Sequence, residues 1–458
     1  MKILILRRIK VFKRKKSIVL CTILLCVFLV SSFSLTCFAS NDFNWKQCEG
    51  EKIRVMLLKT GKSEVAQNRL SEFTDLTGIE VQMEVYPEDV MRQKRLVEMS
   101  GKGKTLDVFD LNTIGNGYKY ASAGWLEPLD DYLSNPAITN PDFDFEDFLQ
   151  GGIQLETING ELIGLPTTIE TVILYYRKDL LEKYNVSVPS TLEELEEAIK
   201  KLTLDTDNDG KIDVYGITMR GKRAALVSCF GSFLYSMGGK WFNEEGKPDY
   251  RTPEFKEAVD MYARLLRDYG PPSALNDHWK ECTAIFSNGK AAFFLEWSAQ
   301  WGAAAKMMRE SGNEELIEKM GCIVFPAGRA GSICGEVGWG VSINPFSQNK
   351  IPSWLFLQWM TSKDMELNMQ LSGYPTARKS AWKSDAYKKQ DKYPEWSSVC
   401  MQSIENGVRE AALPLIIPVS EVRAVIGEVV QSAILGEDWE SMLEEAENKS
   451  WEVMEPYQ

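Results

Sequence analysis

"NGELIGLPTTIETVILYYRKDLLEKYNVSVPSTLEELEEAIKKL", residues 159–202, sets a buried strand directly ahead of a capped helix. Thr171–Tyr176 (TVILYY) is a short apolar run without the alternation of a half-solvated strand, so it reads as a strand covered on both faces. In the second half of the stretch, Thr191 with Glu194 three residues on forms a capping-box pair, which opens a helix at the segment PSTLEELEEAIKKL. Working outward, residues 53–133 repeat this grammar. IRVMLL is a strand, and SEVAQNRLSEFTDLTG is a helix with Ala66, Leu70 and Phe73 at helical spacing and a stop at Gly78. IEVQMEVY then places Ile79, Val81, Met83 and Val85 on one face at period two, and the helical DVMRQKRLVEMSGKG leads to the strand LDVFDL. Strand–helix–strand order predicts α/β architecture, with mostly parallel sheets flanked by helices. Downstream, YGITM, CIVFPAGRAGS and EVGWGVSINPFS carry strand and turn chemistry, and the chain is helical from Ser420 onward. There is no internal repeat.

The first 39 residues have the composition of an export signal. Eight Lys/Arg and no acid precede the apolar run IVLCTILLCVFLV, and CFAS offers Ala39 at a cleavage position. Two other readings stay open: a lipid-modified Cys37, although Leu35 sits one place too close to it, and an uncleaved anchor. All three put the body of the protein outside the cytoplasm. Past residue 39 the chain has 44 basic and 65 acidic side chains, a net charge of −21, which repels phosphate backbones and argues against nucleic acid. The remaining 419 residues exceed what one core usually supports, so two lobes are expected. Six cysteines (Cys48, Cys229, Cys282, Cys322, Cys334 and Cys400) survive cleavage; their spacing is irregular, and no metal motif is built from them.

LDTDNDGKIDVYG, residues 204–216, concentrates carboxylates that repel one another unless a cation sits among them. Asp205, Asp207 and Asp209 fall at positions one, three and five of an oxygen-ligand loop for Ca2+, Gly210 at the turn, the Lys211 carbonyl at seven and Asp213 at nine. Position twelve is Gly216, not the bidentate glutamate of a helix-pair switch. The competing reading is an Asp/Asn/Gly surface turn without metal.

Taken together, FTDLTGIEVQMEV, SAGWLEPLDDYL, the opening stretch, IFSNGKAAFFLEWSAQW, VGWGVSINPFSQNKIPSWLFLQWMTSKD and SGYPTARKSAW resemble, in that order, the extracellular solute-binding proteins of bacterial ABC importers, carbohydrate-binding group (family 1). The resemblance runs from about residue 53 to beyond 430. It implies two lobes joined by hinge strands and closing over a ligand. The first lobe would take 40–166 and 326–376, the second 167–325 and the C-terminal helices of 377–458, after a signal peptide over 1–39. It also implies a structural Ca2+ loop at 205–216 on the second lobe, away from the cleft; Val214 stands where relatives can carry a further acid.

A sugar cleft needs carboxylates, amides and arginines for hydroxyls and flat rings for apolar faces. The resemblance puts Glu170 at a hydroxyl-binding position. It also offers Trp297 and Trp301 as a stacking ring, one in the cleft and the other in the core. Trp339, between Gly338 and Gly340, is either exposed in the cleft or part of a strand bulge. Arg378 matches a position that reaches the cleft or pins the hinge, with a surface ion pair as the alternative. Asn112 lies at the carboxyl end of a strand, the usual ligand side of an open sheet. Glu64, Phe233 and Trp279 complete the candidates, while His278, the single histidine, reads as loop surface. The resulting expectation is a non-enzymatic, monomeric receptor that hands a sugar, an oligosaccharide above all, to a membrane permease. The alternative is a secreted glycoside hydrolase with a carboxylate pair.

Overall fold

Eight strands carry the architecture of the computed structural model, which describes residues 43–390 and 393–458. They are β1 (Lys52–Leu58), β2 (Glu80–Tyr86), β3 (Val108–Leu111), β4 (Leu165–Arg177), β5 (Tyr215–Thr218), β6 (Ala291–Trp297), β7 (Met320–Val324) and β8 (Cys334–Ile343). Their order is β2-β1-β3-β8-β4-β6-β5, with β7 also on β4. Parallel pairing holds within each end of this order, β1 with β2 and β3, and β5 with β6. The antiparallel pairs belong to the long strands β4 and β8 and their neighbours. The export-signal reading falls on residues outside the described ones.

The two lobes meet in β4 and β8. From Leu165 to Thr171, β4 pairs with β8; from Val172 to Tyr176 it pairs with β6 instead. In the same way β8 passes from β4 to β3, which it pairs from Gly340 to Ile343. Each lobe keeps its own apolar cluster. One is built on Met56, Met91, Phe109 and Leu111, the other on Tyr175, Phe294, Trp301, Met320 and Trp396. The continuous apolar run of the opening stretch follows from this placement, since every residue of β4 is buried. The backbone at 327–330 still bonds to Ser190, Leu192 and Ser236, so the return crossing is made within β8.

Local chemistry follows the sequence with two adjustments. The helical segment after β1 breaks at Arg69 into Gly61–Asn68 and Leu70–Thr77, and Gly78, at φ 71°, ends it in the left-handed region that glycine tolerates. Thr191 Oγ1 accepts from the Glu194 amide (3.2 Å), but the Glu194 carboxylate turns to the Ser190 amide (2.8 Å), so the expected reciprocal box is displaced by one residue. The six cysteines past residue 39 are free thiols, five of them buried. No helix among the described residues is long and apolar enough to cross a membrane.

Candidate functional site

A cavity of about 480 Å³ opens where the crossing strands separate the lobes, and side chains from both lobes line it. Six of the nine sequence candidates do so: Glu64, Asn112, Glu170, Trp279, Trp297 and Trp339. Asn112 follows β3 and is fixed there. Its side-chain oxygen accepts from the Gly115 amide (2.8 Å) and its NH2 donates to the Gly338 carbonyl across the sheet (3.1 Å). Trp339 sits at a bulge in β8 and lines the cavity from there. The flanking glycines answer to the opposite face of the strand. A Cβ at Gly340 would lie 2.5 Å from the Glu156 carboxyl carbon, and one at Gly338 would lie 3.0 Å from Leu155.

Three candidates are elsewhere. Trp301 starts its helix with the ring turned into the second lobe's cluster, 5.2 Å from Tyr393 and 6.1 Å from Tyr175, leaving Trp297 as the cleft member of that pair. Phe233 is fully buried between Tyr262 and Phe325, each at 5.2 Å. Arg378 is fully buried too, and it is neither a cleft nor a surface residue. It donates to the carbonyls of Thr361 (2.6 Å), Asp144 (2.8 Å) and Phe143 (2.9 Å), and so pins one loop of the first lobe.

Glu170 is 9% exposed and has a single long hydrogen bond, accepted from Thr168 Oγ1 at 3.4 Å. Burial, helped by the neighbouring Glu296, pushes its carboxyl up to about 7, while Lys62 and Arg220 oppose the rise. Glu296 itself is locked by Arg220 in a two-pronged pair, both contacts 2.6 Å. Lys62 is held by Asp110 (2.8 Å) and Thr167 (3.1 Å).

Sequence reasoning missed the cationic corner. Arg92 pairs with Glu88 (2.7 Å) and its guanidinium carbon lies 5.9 Å from the Trp339 ring centre. Arg220 and Arg423 line the same cavity, as does His278, which is therefore not plain loop surface. Burial and the nearby Arg220 hold the His278 imidazole well below its ordinary range, so it stays neutral. Arg220 lies two residues past the end of β5, and the strand-end argument that picked Asn112 extends to it. Nothing in the sequence marks Arg92 or Arg423, which project from helices.

In the acidic loop, oxygens of Asp205, Asp207 and Asp209 converge within 4.8 Å of one another. Asp213 stands apart from that group, its Oδ2 accepting from the Thr206 amide at 2.9 Å. The donor set thus suits a hard cation through three carboxylates, one short of the spacing-based expectation.

The family model of bacterial extracellular solute-binding proteins matches residues 60–366. A mannitol-binding protein of Pseudomonas aeruginosa is 28% identical over 286 residues, and the match spans 61% of each protein. An erythritol/L-threitol-binding protein of Mycolicibacterium smegmatis is 25% identical over 352 residues, 73% of this chain and 71% of that one. The fold is also that of an ABC-transporter solute-binding protein from Agrobacterium radiobacter in complex with ribitol. That structure has a TM-score of 0.78 and 24% identity, covering 88% of this chain and 99% of the other. A two-lobe α/β frame with the cavity between its lobes, matched along most of its length, makes this chain a member of the bacterial extracellular solute-binding protein family.

Proposed function

We propose that this protein captures a sugar or polyol outside the cytoplasm and delivers it, chemically unchanged and as a monomer, to the permease of an ABC importer. The observation that supports this reading is the placement of Glu170. A buried carboxylate with one weak bond from the protein stands among tryptophans from both lobes, ready to accept hydroxyl donors from a ligand. Similarity to proteins that bind mannitol and erythritol or threitol agrees with a ligand of that class. A volume of about 480 Å³ suits one small ligand better than a long oligosaccharide. The hydrolase alternative has no support among the relatives, which are binding proteins, and of the acids around Glu170, Glu296 is bound by Arg220 and Glu88 by Arg92. Delivery would follow from lobe closure, with β4 and β8 as hinges. We also propose that the 205–213 loop holds a structural Ca2+ and that the N-terminus is an export leader.

A thermal-shift screen against polyols, aldoses and short oligosaccharides tests the reading. A ligand at 100 times its Kd stabilises by about 2.7 kcal/mol. A panel that leaves the melting temperature unmoved would refute carbohydrate capture.

A further inference from the structure

The cavity runs against the charge of the molecule around it. The chain carries a net charge of −13, yet seven cationic side chains and only four carboxylates line the cleft. Most of those cations are already satisfied. Lys62 has Asp110, Arg92 has Glu88, Arg220 has Glu296 and Lys306 has Glu64.

Among the guanidinia Arg423 is the exception; Lys59 and Lys280, which also have no acid partner among the described residues, are exposed to water. Its Nε donates to the Ala224 carbonyl (3.1 Å), which anchors the side chain, and among the described residues no carboxylate pairs with it and no acceptor meets its two terminal nitrogens. Its own burial, then the nearby Arg92 and Arg220, push its guanidinium down to about 10 against the opposing charge of Glu88, and it is still fully charged at neutral pH. The neutral His278 adds nothing to the positive charge of this corner. A half-buried guanidinium with free donors, beside two other guanidinia, makes this corner attractive to an anion.

We propose that the ligand is an acidic sugar or polyol whose carboxylate seats on the terminal nitrogens of Arg423, with its hydroxyls toward Glu170 and its apolar face on the tryptophans. This rests on carbohydrate capture as the function and adds the charge of the ligand. One uncompensated guanidinium matches one carboxylate; a phosphate dianion would leave excess negative charge. Arg92 and Arg220, held in place by their own acids, supply field without being consumed.

Calorimetry on the full extracytoplasmic chain with matched pairs tests this: D-gluconate against D-glucitol and D-galacturonate against D-galactose, with D-glucitol 6-phosphate as the dianionic arm. The acid of at least one pair should bind tenfold or more tightly than its neutral partner and than the phosphate. Arg423→Gln should erase that preference, bringing the acid's affinity down to within threefold of the neutral partner's in the same variant, and Arg423→Lys should restore part of it. Circular dichroism verifies folding of both variants. Neutral and acidic members binding equally, or an acid preference that survives Arg423→Gln, overturns the inference and leaves carbohydrate capture standing. Tighter binding of the phosphate overturns the choice of a carboxylate. No binding by any member overturns both readings.

Discussion

Replacing Glu170 by glutamine isolates the one cleft carboxylate whose ionisation is balanced near neutrality. Its carboxyl is pushed up to about 7, because the charged form is buried, lies beside Glu296 and accepts one bond of 3.4 Å. Hydroxyl groups arriving with a ligand donate to the charged form and favour it. The binding-competent fraction is then the ionised fraction, and apparent affinity scales with it. With a carboxyl at about 7 that fraction is roughly a tenth at about pH 6 and nine-tenths at about pH 8, so affinity should rise about tenfold across the window, or ~1.4 kcal/mol. The sign is unambiguous: affinity is gained as pH rises. Of the other groups in the cleft, Glu88 and His278 are held below their ordinary ranges and Arg423 stays charged. Calorimetry at three pH values, in buffers of different ionisation heat, reads both the slope and the release of about half a proton per ligand near pH 7. Glu170→Gln should bind more weakly, by about 1–3 kcal/mol at the upper pH, and show no slope. A flat wild-type profile, or an equal slope in the variant, would refute the reasoning.

Other expectations follow from the same geometry. Trp339→Ala removes a ring of the cleft and the support of Arg92, and should cost about 1–3 kcal/mol of ligand affinity, with Trp339→Phe recovering most of it; titration calorimetry decides. Ca2+ should raise the melting temperature, and Asp207→Ala with Asp209→Ala should abolish the rise without altering ligand affinity. Glu156 is fully buried, accepts from Thr113 (2.7 Å) and is pushed by burial up to about 8, so it costs stability increasingly as pH climbs from the unfolded value to the folded one. Glu156→Gln should therefore gain on the wild type by at most about 4 kcal/mol between about pH 5 and about pH 9 in urea melts; a constant difference would count against that burial cost.

The frame was legible because its signals are local. The apolar run Thr171–Tyr176 could only be a covered strand, and the helix after β1 ended at the glycine that a left-handed residue required. The site was legible where strands deliver it, at Asn112, Glu170, Trp297 and Trp339. It was not legible where helices do. Arg92 and Arg423 occupy helix faces that by default meet water, and only the approach of the opposite lobe turns each into a cleft wall. Trp297 and Trp301 differ by four residues and by one change from strand to helix, which reverses the direction of the ring. Arg378 lies in a segment without periodicity, and its partners, Phe143, Asp144 and Thr361, are scattered along the chain.

Glu64 and Lys306 touch at 2.6 Å across the mouth of the cleft, one from each lobe, with about half of each side chain in water. An ion pair so exposed contributes about 0–1 kcal/mol and weakens as salt rises. As a latch it therefore prolongs the shut state at most about fivefold, too little to keep the lobes together by itself. Residence time is left to the cargo. In the delivery proposed above, a permease pulling the lobes apart would meet little resistance from the rim, and the waiting time for release would be set by how quickly the bound molecule lets go of the walls.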